Sequence, residues 1–106
     1  MARYGFLFRI RPELKAEFKK AHDEIWPKLV EAIREVGIRN YTHFYRDDGT
    51  IFAALEADNP AASLAQLAQK DIRTEWEKTM EKYFVKSDHS FLGPETMVLQ
   101  EIFHLD

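Results

Sequence analysis

The stretch Ala21-His22-Asp23-Glu24-Ile25-Trp26-Pro27 puts a titratable imidazole where the surrounding pattern reserves space for apolar side chains. Leu14, Phe18, His22, Ile25, Leu29, Ile33 and Val36 recur at helical spacing and share one stripe, so His22 points inward. Imidazole, with an unperturbed pKa near 6.5, both gives and takes protons around neutral pH, which suits it to general acid and base work. An inward histidine is also an ordinary core residue when its nitrogens are bonded, so position alone leaves both readings open. One turn later Pro27 lacks the N–H that would bond the Asp23 carbonyl, and its ring biases Trp26 away from helical angles. A kink or break is expected there, including a junction of two short helices of which the second starts at the proline.

Three other residue types carry possible chemistry. Tyr41 offers a phenol that can donate to an oxygen, and is equally a sheet aromatic with its hydroxyl bonded locally. Trp76 offers a broad apolar plane, and is equally a core residue on the stripe Ile72, Trp76, Met80 and Tyr83; Glu77 lies elsewhere around that helix. Trp26 is expected to pack the kink, and Asp23 and Glu24 to be solvated carboxylates. His43 and His104 read as sheet residues and His89 as a loop residue. The four histidines show no i, i+4 spacing, so no metal site is expected.

The elements that must hold these residues follow from the pattern. Arg3 to Ile10 alternates with Tyr4, Phe6, Phe8 and Ile10 on one face, a first strand. Pro12 and Glu13 open the helix that carries His22, and Gly37 closes it. Ile38 to Arg46 and Ile51 to Ala57 are strands joined through Asp47-Asp48-Gly49-Thr50, a hairpin signal; alternation groups Tyr41, His43 and Tyr45 against Asn40, Thr42 and Phe44. Asn59-Pro60 starts a helix near Ala61, a second helical stretch begins at Asp71, Val85 to Glu95 reads as a loop, and Thr96 to Leu105 as the last strand. The order β-α-β-β-α-β is that of a ferredoxin-like α+β sandwich, with helices on one face of an antiparallel sheet. Several strands are apolar on both faces, so the uncovered face is expected to pack on a second subunit as a homodimer.

Composition narrows the function classes. The 106 residues suit one domain over 1–106. A net charge of −3, with 15 basic and 18 acidic residues interspersed, argues against a nucleic-acid partner. Apolar runs such as Ile51 to Leu55 are too short to span a bilayer, and no basic leader with an apolar segment precedes Tyr4, so no membrane partner and no signal peptide are expected. Without cysteine there is no disulfide, thiol nucleophile or thiolate metal site, and the expected location is cytoplasmic.

On His22-Asp23-Glu24-Ile25-Trp26-Pro27 with Leu29, then Gly37, Asn40-Tyr41, Trp76 and the closing Glu101-Ile102-Phe103-His104-Leu105, the chain resembles the L-rhamnose mutarotase family over essentially its full length. The resemblance implies a dimeric α/β barrel of ferredoxin-like subunits, working without metal or organic cofactor. The implied reaction interconverts the α and β anomers of a 6-deoxy hexose, most readily L-rhamnose, with that monosaccharide as the partner. By the same resemblance His22 is the proton donor, and Tyr41 and Trp76 contact the sugar. Two positions depart from the family's common residues: Phe18 replaces a tyrosine one turn before the histidine, and Glu77 replaces a second tryptophan. Both positions are counted among the substrate-binding candidates, Glu77 as an acceptor for sugar hydroxyls or else a solvated helix charge. The segment Lys86-Ser87-Asp88-His89-Ser90 also departs from the family's Asn-Pro-Asp-Asn-Ser-Pro. Two other readings share the architecture: a dimeric α/β-barrel monooxygenase or haem-handling protein, and a non-catalytic sugar-binding dimer.

Overall fold

The computed structural model describes residues 2–85 and 96–106. Among them, four antiparallel strands form one sheet in the order β2-β3-β1-β4: β1 Ala2–Arg9, β2 Arg39–Tyr45, β3 Thr50–Ala57 and β4 Met97–Leu99. Four α-helices accompany them, α1 Lys15–Asp23, α2 Pro27–Glu35, α3 Pro60–Ala68 and α4 Asp71–Met80, with 3-10 turns at Pro12–Leu14 and Glu81–Tyr83. This is the ferredoxin-like α+β fold that the element order predicts. No helix among the described residues is long and apolar enough to cross a membrane.

The helical region between Pro12 and Gly37 is divided where the proline requires it. Trp26 takes extended angles (φ −62°, ψ 129°), and Pro27 becomes the first residue of α2. The N–H groups of Leu29 and Val30 then donate to the Trp26 carbonyl at 3.0 and 3.1 Å. At the far end Gly37 adopts φ +88°, which lets Ile38 N–H reach back to the Ile33 carbonyl at 3.3 Å. Buried Ser63 donates to the Val36 carbonyl at 2.5 Å and so ties α3 to this helix end.

Strand alternation separates the two faces of the sheet. Phe6 opposite Ala53, and Phe8 opposite Ile51, lie under the helices and pack with Phe18, Leu29, Leu67, Trp76 and Met80 in the core. Leu7 opposite Phe52, and Phe44 opposite Phe52, lie on the other face, where Phe44, Phe52 and Met97 remain exposed. In the hairpin, Arg46 N–H bonds the Thr50 carbonyl at 2.8 Å and Gly49 takes φ +95°. Between Arg39 and Thr42 the β2–β3 register slips, and Asn40, at φ 50°, occupies this bulge.

The last strand is shorter than the alternation from Thr96 to Leu105 suggests. Only Met97–Leu99 pairs with β1, through Met97 opposite Leu7, Val98 opposite Phe6 and Leu99 opposite Gly5. Continuing that register sets Glu101 opposite Arg3, and their side chains do meet at 3.3 Å, so beyond Leu99 the segment keeps a side-chain contact with β1 without ladder pairing. His104, expected in the sheet, lies beyond the paired residues and contacts Asp106 at 2.7 Å. The expected loop lies outside the described residues from 86 to 95, including Lys86-Ser87-Asp88-His89-Ser90.

Candidate active site

A cavity of about 1310 Å³ lies between the helices and the covered face of the sheet, with His22 from α1, Tyr41 and His43 from β2, and Arg73, Trp76 and Glu77 from α4 in its wall. His22 sits in the last turn of α1, one turn after Phe18, so its ring lies above the Phe18 carbonyl. Nδ1 is 2.9 Å from that carbonyl oxygen. A carbonyl only accepts, so Nδ1 carries the proton, and Nε2 is left with its lone pair. Burial pushes the imidazole below its ordinary 6.5, against the opposing pulls of the Phe18 carbonyl and of Asp23. His22 is accordingly neutral at pH 7, with Nε2 as an acceptor.

The rings around it form a continuous wall. Phe18 is buried, its ring centroid 4.3 Å from that of His22, and it fixes the tautomer through its backbone, which a tyrosine there would do equally. Trp76 is only 8% exposed; it meets His22 edge-on at 5.4 Å and Trp26 edge-on at 5.1 Å, so it is a core residue with a cavity-lining edge. Trp26 thus packs α4 as well as the break. Tyr41 is 37% exposed, toward the cavity that it lines, and burial nevertheless raises its phenol above the ordinary value while the Arg73 charge opposes that rise. The phenol keeps its proton at neutral pH.

Two residues join the site that their sequence context did not single out. His43 lies 5.3 Å from His22 and 5.1 Å from Tyr41 between ring centroids, and burial, helped by His22, lowers it to about 4. Its signal was its alternation with Tyr41 on one strand face. Arg73 contacts Glu77 one turn along α4, so Glu77 is an ion-paired, partly exposed residue of the cavity wall. The signal here was the i, i+4 spacing beside Trp76. Asp23, expected to be solvated, holds Lys19 at 2.8 Å and still acts on His22 through its charge. Among the described residues no three His, Asp or Glu side chains converge as metal ligands would.

Fold and cavity together define a ferredoxin-like domain that encloses a histidine between its helices and its sheet. The profile described as L-rhamnose mutarotase matches residues 3–105. The L-rhamnose mutarotase of Lactiplantibacillus plantarum is 34% identical over 107 residues, spanning 100% of both chains. The crystal structure of an L-rhamnose mutarotase from Formosa agariphila superposes with a TM-score of 0.83 at 25% identity, covering 100% of both chains. A dimeric ferredoxin-like protein from an uncultured marine organism, at TM-score 0.65, 13% identity and 99% coverage of both chains, shares the fold. The chain belongs to the L-rhamnose mutarotase family and is an isomerase of the carbohydrate-acting class.

Proposed function

We propose that the protein interconverts the α and β anomers of L-rhamnose, a 6-deoxy hexose, with His22 as the group that moves the proton. The observation that carries this reading is the Nδ1–H bond from His22 to the Phe18 carbonyl, which leaves Nε2 free as a base inside the cavity. Nε2 takes the proton of the anomeric hydroxyl, the C1–O5 bond breaks as the C1 carbonyl forms, and the resulting imidazolium returns the proton to O5. Both oxygens are attached to C1, so one nitrogen can serve both. After rotation about C1–C2 the steps reverse, O5 closes on the other face, and His22 is neutral again. His22 is thus an acceptor first and a donor second. Only a proton changes hands, so the residues named supply the chemistry without a metal or organic cofactor.

The other groups of the wall fit supporting roles. Tyr41, with its proton retained, donates to the sugar oxygen on which negative charge develops. The cavity-lining edge of Trp76 meets the C–H face of the ring, and Phe18 holds His22 in register. Residues 1–106 act as one L-rhamnose mutarotase-like domain, two copies pair as a homodimer, and, in keeping with a cysteine-free sequence, the reaction takes place in the cytoplasm.

Saturation-transfer NMR between the L-rhamnose anomers tests the reaction. Wild type is expected to accelerate exchange at pH 7, and His22→Ala to lose roughly 10²- to 10⁴-fold, the usual contribution of a positioned proton-transfer group. Sugar binding without faster exchange would favour the non-catalytic dimer, and a haem absorbance on titration the haem-handling reading.

A further inference from the structure

The Arg73–Glu77 ion pair lies in the cavity wall with each side chain about a third exposed. Pairs of this spacing are common on helix surfaces and contribute little to stability there. Here the pair flanks Trp76, whose ring meets His22 at 5.4 Å, and the Arg73 charge is felt at Tyr41. Ring to ring, the wall runs from His22 to His43 at 5.3 Å and on to Tyr41 at 5.1 Å, and Arg73 lines the same cavity. The pair therefore borders the sugar space beside Trp76, with the Arg73 charge acting on Tyr41.

We infer that the Arg73–Glu77 pair grips the vicinal hydroxyls on C3 and C4 of the sugar and makes them a requirement for turnover. The assignment rests on the mutarotase reading: with C1 handled by His22, C3 and C4 carry the adjacent ring hydroxyls away from the anomeric centre, and these are left for the other polar groups of the wall. A hydroxyl both donates and accepts. Arg73 supplies donors in a planar fork and Glu77 supplies acceptor oxygens, so two adjacent hydroxyls satisfy both partners of the pair. The pair is neutral as a whole, which matches a neutral sugar. A carboxylate substituent at this end would face Glu77, and an ammonium would face Arg73, so acidic and amino sugars are disfavoured. Arg73 and Glu77 are binding residues in this scheme, and the proton transfers remain with His22.

The test is a cycle of enzyme variants against substrate variants. Anomer exchange of L-rhamnose and of its 3-deoxy and 4-deoxy analogues, each relative to its uncatalysed rate, is measured for wild type, Arg73→Met, Arg73→Lys and Glu77→Gln. In wild type, loss of either hydroxyl is expected to lower kcat/KM by roughly 10²-fold, as when a site's bonding groups lose their partner. In Arg73→Met, L-rhamnose falls by a similar factor, and the analogues then differ from it by no more than about threefold, since the bond is already gone. Arg73→Lys recovers part of the loss. If the variants slow all three sugars equally and keep the wild-type preference, the pair is merely structural and the inference is overturned. Circular dichroism checks the fold of each variant, and Glu77→Gln, nearly isosteric, serves if Arg73→Met does not fold. If wild type fails to accelerate exchange, the mutarotase reading fails by itself. Titration of the three sugars, followed at the Arg73 Nε–H resonance, then decides the inference: weaker binding of the deoxy analogues in wild type alone supports it, and equal or absent binding overturns it.

Discussion

His22 and His43 are neighbours in the cavity wall, 5.3 Å apart between ring centroids, and both are held below the ordinary histidine pKa chiefly by burial. For His43 the folded value is about 4, against 6.5 in the unfolded chain. Between those values the unfolded state binds more protons, so stability is complete above pH 6.5 and falls as pH is lowered toward 4. At 1.36 kcal/mol per pKa unit the fall from His43 is at most about 3 kcal/mol, with a smaller contribution of the same sign from His22. Urea unfolding at pH 7 and pH 4.5 checks this: His43→Gln is expected to show a much smaller difference than wild type, and an unchanged difference would mean that His43 is not held neutral. His22 was legible in the sequence because helical periodicity assigns a face to each residue of a long stripe. His43 was not, because period-2 alternation groups it with Tyr41 without saying that their shared side borders an open cavity. Arg73 escaped notice for a related reason: a charged residue beside a buried tryptophan reads as surface until the opposing wall is known.

At the scale of elements, the turn chemistry was the most legible part. Pro27 at the start of α2, Gly37 at its end and Asp48-Gly49 in the hairpin each stand where the sequence places them, because each depends on a local backbone angle. Gly49 is confined further, since an added Cβ would come within 2.3 Å of the Ile10 carbonyl oxygen. The β2 bulge and the end of β4 were not legible, because both depend on pairing with a neighbouring strand: the bulge on β3, the end of β4 on its ladder with β1, which stops at Leu99 opposite Gly5. The bulge bears on the site, since Asn40 at φ 50° immediately precedes Tyr41 and bonds Glu56 through Nδ2 at 2.9 Å. A β-branched residue is strained in that left-handed conformation, whereas glycine adopts it freely. Asn40→Val is expected to destabilise by about 1–3 kcal/mol and to lower anomer exchange as Tyr41 is displaced. Asn40→Gly stays within about 1 kcal/mol, losing chiefly the exposed bond to Glu56. Thermal unfolding and NMR exchange on both variants check the pair, and equal behaviour would remove the bulge from the account of the site.

For the whole molecule, the open face of the sheet is the unsatisfied surface. Phe44 is 59% and Met97 64% exposed there, with Phe52 between strands β2 and β1, so among the described residues one face of the sheet carries apolar groups that no helix covers. Ile102, beyond the paired residues of β4, is also 90% exposed. Sheet-on-sheet packing of two copies about a two-fold axis buries such a face against itself. The charged rim formed by Arg3 with Glu56 and Glu101 can then remain at the edge, where ion pairs stay hydrated. Phe44→Glu is a direct probe, because two-fold symmetry introduces the carboxylate on both copies, and a buried unpaired charge is strongly unfavourable. Sedimentation equilibrium is expected to give twice the 12.5 kDa chain mass for wild type at micromolar concentration, and Phe44→Glu to weaken the dimer by roughly 100-fold or more, as for a central interface residue. Phe44 is also among the residues lining the His22 cavity, although alternation turns its side chain away from that of His43, so anomer exchange is measured on the folded variant alongside its mass. A wild-type mass of one chain would remove the dimer. A dimer indifferent to Phe44→Glu would move the interface away from this face.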